Sequence, residues 1–501
     1  MRKFLLSLAL FLLFIPSFLN AQMLPAIIPE PRECEISPTS YDHLERLVIE
    51  CPDANARDWA ERHLKEWYGE YAPKVILSSL GKKDTDALSL ESYIMDSDAS
   101  GVRVKAATLQ GVRYALYSLR QVAIAERGTD KVAGWIMPRC HVSDSAKMDF
   151  RGIHICWFHE TEPWEVERLI RLAAYYKLNY AVVEPWGSFR SDVAPWYGWQ
   201  DGTMTKQEVR RLKALADDLG ITLIPQLNIF GHATMARDGA GKHAALDIAP
   251  EYQPLFEPVG GWNWCLSNPE TKKLLSALIE ELMDAFGNPP YFHIGCDEAK
   301  EPSCPECLKH SYSELFVNHL KAMNAVITKR GARAMMWHDM LLEAGDKRFE
   351  GFYTNGTKET AEAAVKMPKD IIICDWYYEG ARKDYPTLDY FKDLGYDVLT
   401  CPWYNASGIL AQGTYAAKKD LYGILGTLWH HYYGEDLVTA CTRLAQVAWN
   451  PSATERPSFW KHTGTFFRQH LRQVGWDMKV TDPRHTGLYY DEIPLTPELN
   501  N

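Results

Sequence analysis

The sequence has no basic cluster. Its 54 Lys and Arg stand against 65 Asp and Glu, a formal charge of −11 over 501 residues, so a nucleic acid is not an expected partner. No glycine-rich phosphate loop follows any apolar run, which argues against an open nucleotide-binding sheet. Sixteen histidines are present, yet no His-x-His or His-Glu-x-x-His spacing occurs, which counts against a metal-dependent hydrolase. No metal or cofactor is expected at the site. Long apolar runs are also scarce. One runs from Phe4 to about Phe18, is interrupted by Pro16 and carries no stop-transfer flank. With Arg2 and Lys3 before it and Ala21 after it, the run reads as a signal peptide over residues 1–21, cleaved before Gln22. No cysteine stands at that point to take a lipid. The mature chain is therefore expected in a periplasmic or extracellular compartment without a stable membrane span.

Cysteine is scattered rather than patterned: eleven residues, an odd number. Cys34 and Cys51 are a candidate bridge in an exported chain. Cys304-Pro305-Glu306-Cys307, followed by His310, is the one tight cluster, and it has no second matching pair. A local disulfide, a partial zinc site with a remote ligand, and two free thiols all remain open.

What is abundant is apolar and aromatic: 46% hydrophobic, 12% aromatic, with seventeen tryptophans. Residues 22–145 read as a separate α/β unit without an acid pair or histidine constellation. From about Lys147 the pattern becomes a regular alternation of short apolar strands and helices. The strands are Phe150–Trp157, Asn179–Glu184, Ile221–Asn228, Tyr291–Cys296, Arg333–Trp337, Asp370–Trp376, Tyr396–Trp403 and Tyr422–Trp429. Eight such units predict a closed (β/α)8 TIM barrel over residues 146–452, preceded by the smaller α/β domain. Residues 453–501 read as a tail packed on the barrel.

In such a barrel, chemistry gathers where the strands end. Those ends carry His159, Glu184, His232, Asp297-Glu298, Trp337 with Asp339, Trp376 with Tyr378, Trp403-Tyr404-Asn405 and Trp429. Several indoles at one mouth, with a few acids, suit sugar rings, whose C–H faces stack while their hydroxyls hydrogen-bond. The segment "YFHIGCDE", Tyr291–Glu298, ends an apolar strand in two adjacent carboxylates. Neighbouring carboxylates on one cavity hold one proton more tightly, which makes one a general acid and leaves the other ionised. Sequence neighbours do not obviously flank a sugar ring, as the two carboxylates of a double-displacement glycosidase must. The spacing suits a substrate that supplies its own nucleophile.

Here the chain resembles the family 20 glycoside hydrolases, the β-N-acetylhexosaminidases. "HIGCDE" is similar to their His-x-Gly-Gly-Asp-Glu signature, with Cys296 for the second glycine. "RGIH" at Arg151–His154, "KLN" at Lys177–Asn179, "GHATMA" at Gly231–Ala236 and "GVRYALYSLRQ" at Gly111–Gln121 follow the family in order. The resemblance implies retaining hydrolysis of an N-acetylhexosamine-containing glycan. Glu298 would be the acid/base and Asp297 the group that holds the 2-acetamido N–H. Trp337, Trp376 and Trp429 would wall the pocket, with Tyr404, or else Tyr378, on the acetamido oxygen. Arg151, His159, Glu184, His232, His293, Asp339, Trp403 and Asn405 complete the expected substrate-binding set. The family commonly places an Asp and a sugar-gripping Arg where this chain has Cys156 and His159, which implies altered hydroxyl recognition. A Glu184–His232–Glu298 relay could support the acid. The alternative is a catalytically impaired glycan-binding protein of the same fold. Oligomeric state is not legible.

Overall fold

The computed structural model describes residues 27–127, 132–158, 161–199, 201–234, 245–258, 260–429 and 434–452. The expected signal peptide and the expected tail lie outside the described residues.

The N-terminal unit is a mixed sheet. Its strands are β1 (Glu33–His43), β2 (Arg46–Glu50), β3 (Lys74–Ser78), β4 (Tyr93–Asp98), β5 (Gly101–Ala106), β6 (Ile124–Arg127) and β7 (Val132–Asp144). They run in the order β1-β7-β4-β5-β2-β3, with β6 also paired to β7. Helices Asn55–Tyr68 and Leu109–Val122 complete the unit. In β5, Val102, Val104 and Ala106 are buried and alternate with less buried residues, the period of two expected of a sheet with one face on the core. Helix Leu109–Val122 begins on a Thr108 cap that accepts from Gly111 N. It is buried along most of its length because it also touches the second unit: Tyr117 OH donates to Leu219 O and Gln121 Nε2 to Tyr175 O.

That second unit is the expected barrel. Strands β8 (Phe150–Phe158), β9 (Tyr180–Trp186), β10 (Thr222–Pro225), β11 (Tyr291–His293), β12 (Arg333–Trp337), β13 (Ile372–Trp376), β14 (Val398–Cys401) and β15 (Gly423–Leu428) are all parallel. The ladder runs β10-β9-β8-β15-β14-β13-β12-β11. A bridge between Gln226 and His293, with Leu227 N donating to His293 O at 2.9 Å, joins its two ends. Strands such as β13 and β15 are buried at every residue because both faces are covered, inside by side chains and outside by helices. The N-terminal end is plugged by aromatics: Phe150 stacks on Tyr180 at 4.3 Å, and the hydroxyls of Tyr291 and Tyr422 lie 2.6 Å apart.

Arg151 belongs to this closed end. It stands at the start of β8, fully buried, and reaches the Glu91 carboxylate at 2.8 Å, Tyr114 OH at 2.9 Å and Lys177 O at 3.0 Å. The expectation that it binds substrate is therefore corrected: it fastens the barrel to the N-terminal unit, at the end away from the strand termini that form the mouth. Lys177 does the same beside it, donating to Asp144 Oδ2 at 3.0 Å and Tyr93 OH at 2.9 Å. Asp144 also accepts from Trp449 Nε1 at 2.7 Å. The candidate Cys34–Cys51 bridge is not formed, and both are free thiols, one exposed on β1 and one buried.

Removing one member of a buried ion pair strands its partner's charge. Asp144→Asn is expected to lower stability in denaturant unfolding by about 3 kcal/mol or more. The double variant Asp144→Asn/Lys177→Met should recover part of that loss, and the folded fraction should keep its activity.

Candidate active site

The two carboxylates reach one cavity because the strand stops before them. Strand β11 ends at His293, and the chain then enters left-handed backbone at Gly295 (φ 65°), Cys296 (φ 79°) and Glu298 (φ 47°). Ordinary side chains rarely occupy that region, and each such residue costs roughly 1–3 kcal/mol unless its surroundings hold it there. A Cβ on Gly295 would lie 1.8 Å from Asn228 Oδ1, so that position admits no side chain. Cys296, where the resemblance expects glycine, takes the same conformation with its thiol buried. What holds the turn is a set of contacts to other strand ends. Glu298 N donates to Asp339 Oδ2 at 2.9 Å, and Trp262 Nε1 donates to Glu298 O at 2.7 Å.

As a result, both carboxylates meet one imidazole. His232 Nε2 lies 3.3 Å from Asp297 Oδ2 and 3.3 Å from Glu298 Oε2. The Asp297 side chain is 8% exposed and that of Glu298 49%, so the first is enclosed and the second faces the opening. His232 is itself held in left-handed backbone (φ 55°) and packs on Trp262 at 4.4 Å.

Aromatic rings pack around these acids at the strand ends. Trp337 is fully buried between His293 (4.4 Å) and Trp429 (5.7 Å). Trp376 stacks on Tyr378 at 5.0 Å and lies tilted against Tyr353 at 4.2 Å, and Tyr378 meets Trp403 edge-on at 5.4 Å. Tyr378 OH accepts from Trp429 Nε1 at 2.8 Å. Desolvation of the hydroxyl holds the Tyr378 phenol protonated well above its ordinary range, against the Trp429 hydrogen bond, which lowers it. Tyr404 is 45% exposed and stands edge-on to Trp403. Of the two tyrosines, Tyr378 is the more enclosed. Asn405 is occupied otherwise: its Oδ1 caps helix Ala406–Lys419, accepting from Gly408 N at 2.9 Å. That use accounts for it without a substrate.

Asp339 is the hub behind the acids. It is fully buried and accepts from Glu298 N, from Asn355 Nδ2 at 2.9 Å and from Trp376 Nε1 at 3.3 Å. Burial, then the nearby Asp297 charge, raises its pKa to about 7 despite those donors. One layer out, His338 Nε2 and Asp375 Oδ1 are 3.4 Å apart, both buried. Burial lowers His338 to about 3 and raises Asp375 to about 8, so near neutral pH the pair is an imidazole beside a carboxylic acid, not an ion pair.

Glu184 joins a different group. It accepts from His154 Nε2 at 2.8 Å and Asn228 Nδ2 at 2.7 Å, with Cys156 Sγ at 3.9 Å. His232, the middle member of the expected Glu184–His232–Glu298 relay, meets Glu298 at 3.3 Å. His159 lies outside the described residues. Sequence reasoning missed Trp262, Asn355, His338 and Asp375. Only Asp375 carried a signal, a charge inside an apolar strand. Among the described residues two groups bring three possible metal donors together, His154/Cys156/Glu184 and Cys265/Cys304/Cys307. Hydrogen bonding already accounts for the first.

Residues 162–449 match the model of the glycosyl hydrolase family 20 catalytic domain, and residues 24–145 match that family's domain 2. The chain belongs to glycosyl hydrolase family 20. This family 20 chain is 24% identical over 423 residues to a beta-hexosaminidase of Porphyromonas gingivalis, covering 73% of the chain and 52% of that protein. It is 24% identical over 327 residues to a lacto-N-biosidase of Bifidobacterium bifidum, covering 64% and 27%. The chain thus spans about half the length or less of these curated relatives. Among solved structures, a beta-N-acetylhexosaminidase from Bacteroides fragilis shares the fold with a TM-score of 0.68 at 18% identity, over 89% of this chain and 96% of that one. An exo beta-N-acetylglucosaminidase from Vibrio harveyi, in complex with N-acetylglucosamine, does so with a TM-score of 0.65 at 17% identity, over 90% and 77%.

An acid whose folded pKa lies above its unfolded value binds extra protons only when folded, so stability falls as pH rises between the two values. For Asp375 that window runs from about 4 to about 8. Asp375→Asn should abolish this contribution. Its unfolding temperature relative to the parent should rise steadily between pH 5 and pH 8. An unchanging difference would mean that Asp375 ionises normally. Gly295→Ala should lower stability by about 2 kcal/mol or more and displace the acid pair, read as lost activity in the folded fraction.

Proposed function

We propose that this family 20 chain is an exported β-N-acetylhexosaminidase that releases β-linked N-acetylhexosamine with retention of configuration. The observation that carries the reading is the asymmetric acid pair: one carboxylate enclosed, one open, both on His232, within an aromatic wall. The sugar's C–H faces stack on the indoles, and the N-acetyl group enters between Trp337, Trp376 and Trp429.

Glu298, the open carboxyl, gives its proton to the glycosidic oxygen as the C1–O bond breaks. The acetamido carbonyl oxygen attacks C1 from the opposite face, and Asp297 accepts the acetamido N–H and offsets the positive charge of the resulting ring. Water then attacks C1, losing its proton to Glu298 and reopening the ring. Two inversions give retention. Enclosure suits Asp297 to this task, since a charge interaction is stronger away from water. Tyr378 OH, set among Trp376, Trp403 and Trp429, is the favoured donor to the acetamido oxygen. Because Cys156 stands where the family commonly keeps an Asp, the hydroxyls are read differently, which favours a modified or branched glycan.

The test is aryl alcohol release from aryl N-acetyl-β-glucosaminide, its galacto epimer and the aryl β-glucoside. Only the acetamido sugars should be cleaved, and Glu298→Gln should lower kcat by roughly 10²–10⁴ for a leaving group that needs protonation. Asp297→Asn should lower kcat more than it raises KM, because its charge acts at the transition state. Glucoside cleavage would overturn the acetamido mechanism. Binding of all three without turnover, unaltered by Glu298→Gln, would favour the glycan-binding alternative.

A further inference from the structure

Behind the acid-bearing turn, the Cys304/Cys307 pair acquires a third thiol from a distant loop. Cys265 Sγ lies 3.7 Å from Cys304 Sγ and 3.7 Å from Cys307 Sγ. The three sulfurs all fall within 4.8 Å of one another. These separations are too long for a disulfide, whose S–S bond is about 2.05 Å. They match the edge of a thiolate tetrahedron: with Zn–S bonds of about 2.3 Å, tetrahedral angles place sulfurs about 3.8 Å apart. Ser267 Oγ occupies the fourth direction, 3.4 Å from Cys265 Sγ, 3.1 Å from Cys307 Sγ and 4.0 Å from Cys304 Sγ. A tetrahedral sulfur–oxygen edge would be about 3.5 Å. Cys265 and Cys307 are buried, while Cys304 is partly exposed and gives an ion a way in.

We propose that Cys265, Cys304 and Cys307 bind one zinc ion, with Ser267 or a water as fourth ligand. Each thiol gives up its proton to solvent as the metal–sulfur bond forms, so three protons leave per ion bound. The site is structural. It joins the loop after β10 to the loop after Glu298, two segments already laced together by short polar contacts. Asn263 exchanges hydrogen bonds with Lys300 at 2.6 and 3.1 Å, and Glu257 accepts from the backbone N–H of Ser303 and Cys304, each at 2.6 Å. Trp262, from the same loop, holds Glu298 O. A metal here therefore fixes the segment that sets the acid without touching substrate.

The full chain, reduced and then loaded with zinc sulfate and dialysed, should retain about one zinc per chain by elemental analysis. Loading with cobalt instead should give an intense sulfur-to-cobalt charge-transfer band in the near ultraviolet, a readout that needs no variant and no activity. Cys265→Ser and Cys307→Ser should each abolish the band and lower retained zinc at least about tenfold, as loss of a thiolate ligand predicts. EDTA should lower the unfolding temperature of the parent and leave that of the variants unchanged. Zinc below about 0.1 per chain in the reduced parent would overturn the site. So would a cobalt complex without the thiolate band, zinc retained in Cys265→Ser, or a disulfide among the three that reduction opens without gain of metal.

Discussion

The site depends on one piece of backbone geometry, the left-handed turn that ends β11. A strand delivers successive side chains to opposite faces, so an Asp-Glu pair inside one would serve two different environments. Left-handed residues at Gly295, Cys296 and Glu298 break that alternation within four positions and turn both carboxylates onto His232. Such a turn is costly in isolation. It persists because Asp339 takes the Glu298 N–H, Trp262 takes its carbonyl, and Asn228 leaves no room beside Gly295.

That dependence explains the layering behind the cavity. Asp339 accepts from three donors on three different segments, Glu298, Asn355 and Trp376, and so sets the distance between the acid turn and the aromatic wall. Asp375 and His338 lie beyond it and can be buried because near neutrality neither carries charge. A second full charge at that depth would compete with Asp339 and Asp297 for the same few donors.

The two ends of the barrel divide the work. At the closed end, Arg151 and Lys177 spend their charges on Glu91 and Asp144, and aromatic rings fill the bore. The open end holds the acids, the indoles and the loops that brace them, including the loop carrying Trp262, Asn263 and Cys265. This division also assigns Arg151, whose neighbours in sequence belong to a strand that ends at the mouth. Its own position, one residue into β8, places it about 20 Å of strand away at roughly 3.3 Å per residue.

The sequence by itself determined the eight strands, their parallel order and the acid pair at the end of one of them. Each is a local signal: apolar runs of strand length, helical periods between them, and two charges where a run stops. It also set indoles at the ends of several apolar runs in turn. Direction and partnership were left to the tertiary structure. Asn405 lies between a strand and a helix, and only the fold decided that it caps the helix. Tyr378 and Tyr404 are equivalent in the chain until packing sets one, partly buried, on Trp429 and leaves the other 45% exposed. Glu184 lies within β9 and His232 follows β10, and only the fold brings the first to His154 and the second to the acids. Cys265 gains its meaning from residues 39 and 42 positions away. A sequence encodes short-range periodicity directly, whereas contacts across a barrel arise only when every strand has been placed against its neighbours.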